Sequence, residues 1–106
     1  VKREDFVPAA HKGLAFADLE IPLTGSGEEA MAMGQCMLAP RLEARMLQDL
    51  AVRPTDTVLE VGTGSGYSAA LLASIAQRVI TLEINPELAA TRVFKIQKSA
   101  WRTARA

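Results

Sequence analysis

The sequence has few of the residues that build disulfide frameworks and metal clusters. Its 106 residues include one cysteine, Cys36, and one histidine, His11. A single cysteine cannot close an internal disulfide, and a single histidine beside it cannot complete a His/Cys metal cluster within one chain. We therefore expect no metal site and a reducing compartment, namely the cytoplasm.

The sequence also has no long apolar run, no net charge and few aromatic residues. No run reaches the roughly 20 apolar residues of a membrane-spanning helix, and the opening VKREDFVPAA lacks the apolar stretch of a secretory signal. Twelve basic and twelve acidic residues cancel, so no overall field attracts nucleic acid or an anionic membrane. Aromatic residues make up 5% of the chain, which predicts an aliphatic core in a single domain.

The first third of the chain predicts an irregular extension. Proline and glycine recur over residues 1–34 too often for a long regular element, and we assign residues 1–39 as an extension that packs over the domain. From Pro40 the apolar residues follow helical spacing, which predicts an amphipathic helix of about three turns. Its apolar residues are Leu42, Met46, Leu47 and Leu50, and Glu43, Arg45 and Asp49 are expected on the opposite, solvated side.

Residues 40–106 predict an α/β domain. Short apolar runs at 57–61 and 78–84 read as buried strands, and helical patterns follow at 65–76 and at 86–100, where Asn85 and Pro86 favour a helix start. Strand, helix, strand, helix is a βαβα unit with parallel strands and a right-handed crossover. We therefore expect the first half of a Rossmann-like, doubly wound parallel sheet.

A glycine cluster separates the first strand from the helix that follows it, in the stretch VLEVGTGSGY. Gly62, Gly64 and Gly66 permit positive φ and let a ligand approach the backbone at the start of the helix, so the loop is a candidate nucleotide site. The alternative to a ligand site is that the glycines only make a tight turn. Glu60 and Glu83 would then be solvated strand ends.

Three side chains indicate which nucleotide fits. Tyr67 stands where the dinucleotide pattern requires glycine, and the Glu60 carboxylate would repel a pyrophosphate placed at the loop. S-adenosylmethionine has no phosphate and carries a cationic sulfonium and ammonium, so an acid at this position favours it. Glu83 ends the next strand about 20 residues later, where a carboxylate can accept the ribose hydroxyls.

The sequence resembles the N-terminal half of the protein-L-isoaspartate O-methyltransferase family. The similarity extends over most of residues 4–90 and is carried by Phe6-Val-Pro, Ala17-Asp-Leu-Glu-Ile-Pro-Leu, Gly34-Gln, Ala39-Pro and VLEVGTGSGYSAALLA. It implies a methyltransferase that uses S-adenosylmethionine to methylate isoaspartyl protein carboxylates, with no catalytic side chain assigned. It also implies the cofactor-binding residues, which are Glu60, Gly62, Thr63, Gly64, Ser65 and Gly66 at the methionine side and Glu83 at the ribose.

The sequence departs from that family in the segment before Pro40. Family members usually read Gly-Gln-Thr-Ile-Ser there, and the serine hydroxyl is thought to assist at the acceptor carboxylate. Here Cys36 replaces the threonine and Leu38 replaces the serine, and leucine cannot form a hydrogen bond. The methyl acceptor therefore stays open. The alternatives are a non-catalytic module that binds the cofactor or assembles with other proteins, and a disfavoured half of an NAD-dependent oxidoreductase.

The second departure is length, because we expect the chain to stop after its second strand and helix. A two-stranded parallel sheet leaves apolar strand edges unpaired. We therefore expect the sheet to be completed by the remainder of a longer chain, by strand exchange in a homo-oligomer, or by another protein. The basic residues after Thr91, which include Arg102 and Arg105, are expected on a solvated helix face rather than on a nucleic-acid site.

Overall fold

A three-stranded parallel sheet carries one helix on its covered face and a long N-terminal extension beside it. The computed structural model describes residues 1–24 and 27–88, and the backbone of a strand at 101–105. The helices are α1 (Gly27–Ala32), α2 (Pro40–Leu50) and α3 (Tyr67–Ala73), and the strands are β1 (Ile21–Pro22), β2 (Cys36–Met37), β3 (Thr57–Val61), β4 (Arg78–Glu83) and β5 (Trp101–Arg105). Two 3₁₀ turns, Arg3–Asp5 and Ala9–Leu14, precede them.

The predicted α2 and β3 appear with their expected bounds, and β4 ends one residue earlier than predicted. Helix α3 is shorter than the predicted 65–76. It begins at Tyr67 because Gly66 has a left-handed φ of 85° and the Ser65 hydroxyl accepts a hydrogen bond from the Tyr67 N–H. It ends at Ala73, after which the Ile75 N–H bonds the Leu72 carbonyl in a tighter turn.

The expectation of two strands was wrong, because β5 forms a third strand parallel to β4. The order is β3-β4-β5, with Val58 beside Val79 and Val79 beside Trp101. Arg102 and Arg105 therefore belong to a strand and not to a helix. The predicted helix over 86–100 begins at residues 86–88, where the Asn85 side chain accepts the Glu87 N–H at 2.9 Å, and its other residues lie outside those that the structure describes.

The N-terminal extension and the sheet share one hydrophobic core. Phe6, Val7 and Ile21 from the extension are buried in the same cluster as α3 and Val79. The cluster also contains Ala15, Met37, Ala69, Ala70, Leu72, Ala73 and Ala76. Small alanines on α3 let the helix lie close to the strands. The division of the chain at residue 39 stays a prediction.

The predicted solvent side of α2 was confirmed for Arg45 and Asp49, which are exposed, and was wrong for Glu43. Glu43 is buried, whereas Leu42, Met46 and Leu50 are exposed. Glu43 can be buried because Arg3 pairs with its carboxylate and the Ser68 hydroxyl donates to it. No described helix is long and apolar enough to cross a membrane.

One face and one edge of the sheet remain open among the described residues. The prediction of a buried β3 was wrong, because Leu59 and Val61 are 62% and 77% exposed and no residue of β3 is fully buried, although parallel strands are normally covered on both faces. β3 also has no second strand beside it in the described sheet. These apolar positions form a surface suited to pairing with another chain segment.

We predict that the chain by itself associates through this surface. Sedimentation at increasing concentration should show species larger than a monomer, and Leu59→Lys with Val61→Lys should shift the distribution toward the monomer because charge opposes edge pairing. The matched control is Phe16→Lys, which changes an 83% exposed residue of the extension and should leave association unchanged. A compact, stable monomer of the unaltered chain at all concentrations would contradict the prediction.

Candidate functional site

The glycine loop between β3 and α3 has a backbone that only glycine adopts without strain. Gly62, Gly64 and Gly66 have φ values of 91°, 55° and 85°. A Cβ added at Gly62 would meet no atom within 4 Å, so the backbone there is open to a ligand. The N–H groups of Gly62 and Thr63 both bond the Leu82 carbonyl, at 2.8 and 3.1 Å, which ties the start of the loop to the end of β4.

A chain of buried hydroxyl groups joins the loop to Glu60. The Thr81 hydroxyl donates to Glu60 Oε1 at 2.6 Å and lies 2.6 Å from the Thr63 hydroxyl. When Glu60 is charged, the single Thr81 proton goes to its carboxylate, and Thr63 then donates to Thr81. The chain therefore fixes the Glu60 carboxylate relative to the second residue of the loop.

Glu83 holds the middle of the same loop. Its Oε1 accepts the Gly64 N–H at 2.7 Å, and its Oε2 accepts the Asn85 N–H at 3.0 Å. Glu83 is buried, which excludes the alternative of a solvated strand end for this residue. Each carboxylate oxygen keeps a second lone pair that could accept another donor.

A cavity of about 800 Å³ lies beside the loop. It is bounded by α2, β3, the loop, the start of α3 and the segment that contains Leu38. Five of the seven predicted cofactor residues line it, namely Glu60, Gly62, Thr63, Gly64 and Ser65. Gly66 and Glu83 are not among the described residues that line the cavity. Glu60 and the five loop residues 62–66 thus lie together at the end of β3. Glu83 contacts the same loop from the end of β4, on the side away from the cavity.

The Glu60 carboxyl is poised to change charge near neutral pH. Burial raises its pKa to about 7, against the lowering effect of the Thr81 hydrogen bond, and the nearby Glu43 and Glu83 carboxylates raise it further. A poorly solvated acid with such a pKa would be stabilised in its charged form by a cation placed next to it. Strongly perturbed acids of this kind are typical of binding and catalytic sites.

Three polar residues of this region were missed as site residues by sequence reasoning. Glu43 and Ser68 line the cavity, and their side chains are hydrogen bonded to each other. Arg3 pairs with Glu43, with 3.6 Å between Nη1 and Oε2, and its guanidinium lies 5.2 Å from the centre of the Tyr67 ring. No local pattern signals these contacts, because they join positions 25 to 64 residues apart.

The segment before α2 contributes Leu38 and Cys36 to the cavity wall. Leu38 is half-buried and presents an alkyl side chain where the resemblance implies a serine. The Cys36 thiol donates to Glu20 Oε2 at 3.2 Å. Burial and the Glu20 carboxylate raise the pKa of Cys36 to about 11, so it remains a thiol and does not act as a nucleophile at neutral pH.

Comparison with known proteins gives one consistent family. Residues 1–104 match the family model described as protein-L-isoaspartate(D-aspartate) O-methyltransferase. A protein-L-isoaspartate O-methyltransferase of Koribacter versatilis is 43% identical over 90 residues, which are 85% of this chain and 37% of the relative. One from Cupriavidus necator is 37% identical over 102 residues, 96% of this chain and 36% of the relative. The chain thus spans well under half the length of these curated relatives.

Solved structures share the fold. A protein-L-isoaspartate O-methyltransferase structure matches all of this chain and 34% of its own, with a TM-score of 0.75 and 21% identity. A dimethyladenosine transferase from Plasmodium falciparum matches 63% of this chain and 26% of its own, with a TM-score of 0.61 and 20% identity. The expected fold class, part of a Rossmann-like methyltransferase domain, is therefore confirmed.

Proposed function

Because the chain belongs to the protein-L-isoaspartate O-methyltransferase family, we propose that it forms the cofactor-binding N-terminal part of a methyltransferase that uses S-adenosylmethionine. The observation that carries the proposal is the half-buried Glu60 carboxylate at the mouth of an open glycine loop. An acid there suits a cationic ligand and opposes a pyrophosphate.

The residues of the cavity fit this cofactor. Glu60, Gly62, Thr63, Gly64 and Ser65 line a space of about 800 Å³, and Gly66 completes the backbone of the loop. A side chain at Gly62 would occupy the open approach to the backbone, and it would be strained at φ 91°. We assign these residues to the methionine side of the cofactor.

Glu83 is assigned to the ribose with a double role. Its bonds to the Gly64 and Asn85 N–H groups hold the loop, and its remaining lone pairs are the candidate acceptors for the ribose hydroxyls. Because the carboxylate lies behind the loop rather than on the cavity wall, a ribose contact requires the ligand to reach the carboxyl ends of β3 and β4. Ligands of open α/β sheets bind at those ends.

When bound, S-adenosylmethionine supplies an activated methyl group on a sulfonium, which transfers by in-line displacement. The protein contributes by orienting the two reactants and excluding water, and no covalent enzyme intermediate is needed.

We propose a protein with isoaspartyl residues as the acceptor and the cytoplasm as the location. The second candidate function, a module that binds the cofactor without catalysis, is favoured by Leu38, which provides no hydroxyl to the acceptor.

Calorimetry of ligand binding tests the choice of cofactor. S-adenosylmethionine and S-adenosylhomocysteine should both bind the chain more tightly than NAD. Glu60→Gln should weaken S-adenosylmethionine binding by about tenfold, because it removes a charge partner in a poorly solvated site. Glu87→Gln, an exposed change outside the cavity, is the control. Tighter binding of NAD would contradict the proposal and support the oxidoreductase alternative.

Transfer of labelled methyl groups tests the acceptor. The protein that contains this chain should label an isoaspartyl peptide and leave the matching aspartyl peptide unlabelled. Leu38→Ser should lower KM for the isoaspartyl peptide, since a hydroxyl at this cavity position can bond the acceptor carboxylate. Leu42→Ser, at an exposed position of α2, is the matched control. Cofactor binding without any incorporation would reject the enzyme and support the non-catalytic module.

A further inference from the structure

One wall of the cavity is held in place by the N-terminal extension. This wall is the Leu38 segment, which we define as residues 34–38. Its members that line the cavity are Gly34, Cys36, Met37 and Leu38. Strand β2 of the segment pairs antiparallel with β1, and the Gln35 carbonyl accepts the Leu23 N–H at 2.9 Å. The position of this wall therefore depends on how the extension lies against the rest of the cavity.

The Arg3 guanidinium joins the Leu38 segment to two other walls of the cavity. Its Nη2 donates to the Leu38 carbonyl at 3.2 Å, and its Nη1 lies 3.6 Å from Glu43 Oε2 on α2. The same guanidinium lies 5.2 Å from the centre of the Tyr67 ring, at the start of α3. Leu38, Glu43 and Tyr67 all line the cavity. One rigid, planar group thus contacts three walls and sets the distance between them.

Glu43 connects Arg3 to the residues that follow the glycine loop. The Ser68 hydroxyl donates to Glu43 Oε1, and Ser68 is the second residue of α3, which begins directly after Gly66. The Glu43 carboxylate is thus compensated by a cation and a hydrogen bond, and it links Arg3 to the start of α3. A displacement of Arg3 would therefore change the distance between the Leu38 segment and the loop.

Burial of Arg3 is costly for a side chain whose role is packing alone. The side chain is 8% exposed, and neither Nε nor Nη1 has a hydrogen-bond partner among the residues that the structure describes. Apolar side chains of similar volume in place of a buried ion pair often leave a protein equally or more stable. The incompletely bonded guanidinium is therefore better explained by what it positions than by the stability it adds.

We propose that Arg3 is a positioning residue that holds the Leu38 segment at the distance from the glycine loop that methyl transfer requires. The proposal rests on the proposed function, which places the methyl donor at the loop and the acceptor beside Leu38. Leu38 provides no hydroxyl, so this wall contributes its shape and its backbone, which Arg3 fixes through a carbonyl. Displacement reactions depend on the placement of both reactants, and a shift of about 1 Å can cost on the order of 100-fold in rate.

A purely structural role for Arg3 predicts a different result. If Arg3 only anchors the extension, its replacement lowers the fraction of folded protein, which lowers the apparent kcat and leaves KM for the acceptor unchanged. If Arg3 positions the Leu38 segment, the folded variant keeps its cofactor site and binds the acceptor less well. The KM for the acceptor, measured beside the dissociation constant of the cofactor product, therefore separates the two roles.

The test is steady-state methylation of an isoaspartyl peptide by the protein that contains this chain, with Arg3→Lys. Lysine keeps a positive charge beside Glu43, but its single nitrogen cannot take the places of both Nη1 and Nη2. We expect KM for the peptide to rise about tenfold, the change that corresponds to the loss of one charge-assisted hydrogen bond. The dissociation constant of S-adenosylhomocysteine, measured by calorimetry, should stay unchanged.

Arg45→Lys is the matched control. Arg45 is an exposed arginine of α2 that pairs with the Asp49 carboxylate, as Arg3 pairs with Glu43. It is not among the described residues that line the cavity, and it makes its pair within one helix. The variant should therefore leave KM for the peptide and the dissociation constant of S-adenosylhomocysteine unchanged.

The outcomes separate this proposal from the proposed function. If the unaltered protein does not label the isoaspartyl peptide, the proposed function fails and this proposal fails with it. If the unaltered protein labels the peptide and folded Arg3→Lys keeps the same KM, only the role of Arg3 is overturned. A fall in kcat alone, an equal loss of S-adenosylhomocysteine binding, or an equal rise in KM for Arg45→Lys overturns it as well.

A second variant decides the question if Arg3→Lys does not fold. Arg3→Met combined with Glu43→Gln removes both buried charges at similar volume, and a fold tolerates this better than one unpaired buried charge. Glutamine keeps an oxygen that can accept the Ser68 hydrogen bond. The Leu38 carbonyl again loses its donor, so KM for the peptide should rise. An unchanged KM would overturn the proposal.

Discussion

The hydrogen bonds between the ends of β3 and β4 hold the glycine loop in its open form. Parallel strands bring their carboxyl ends to the same edge of the sheet, so residues about 20 positions apart meet there. The Thr63 hydroxyl bonds Thr81, and the Gly64 N–H bonds Glu83. Without these contacts, three alternate glycine positions at positive φ would have little to keep them in one conformation. The cavity and the placement of Glu60 both depend on this junction.

The same junction concentrates poorly solvated acids, which is unfavourable for the protein without a ligand. Desolvation and the neighbouring Glu43 and Glu83 carboxylates raise the pKa of Glu60. Burial also raises the pKa of Glu43, although the Ser68 hydroxyl and Arg3 oppose the shift. A cation in the cavity relieves these costs and an anion adds to them. The proposed preference for a sulfonium donor over a diphosphate rests on these electrostatic costs.

Local patterns were enough to predict β3, β4, the start of α2 and the Asn85 cap, because each depends on the spacing of neighbouring residues. The glycine loop was predictable for the same reason. Strand β5 was missed because Trp101–Arg105 carries two arginines and no apolar alternation, and it becomes a strand by pairing with β4. The burial of Glu43 was missed because its partners Arg3 and Ser68 are 40 and 25 residues away. Periodicity within α2 assigns an acid to solvent unless such a distant partner is known.

The most direct test of the central claim is the titration of the Glu60 carboxyl carbon by NMR, with and without S-adenosylmethionine. The account predicts a pKa of about 7 in the free chain, because the half-buried carboxyl is poorly solvated and lies near two other acids. It predicts a clear fall in that pKa when the cationic ligand binds, since the ligand stabilises the charged form. An ordinary pKa of about 4.3 in the free chain, or a value that the ligand leaves unchanged, would contradict the account.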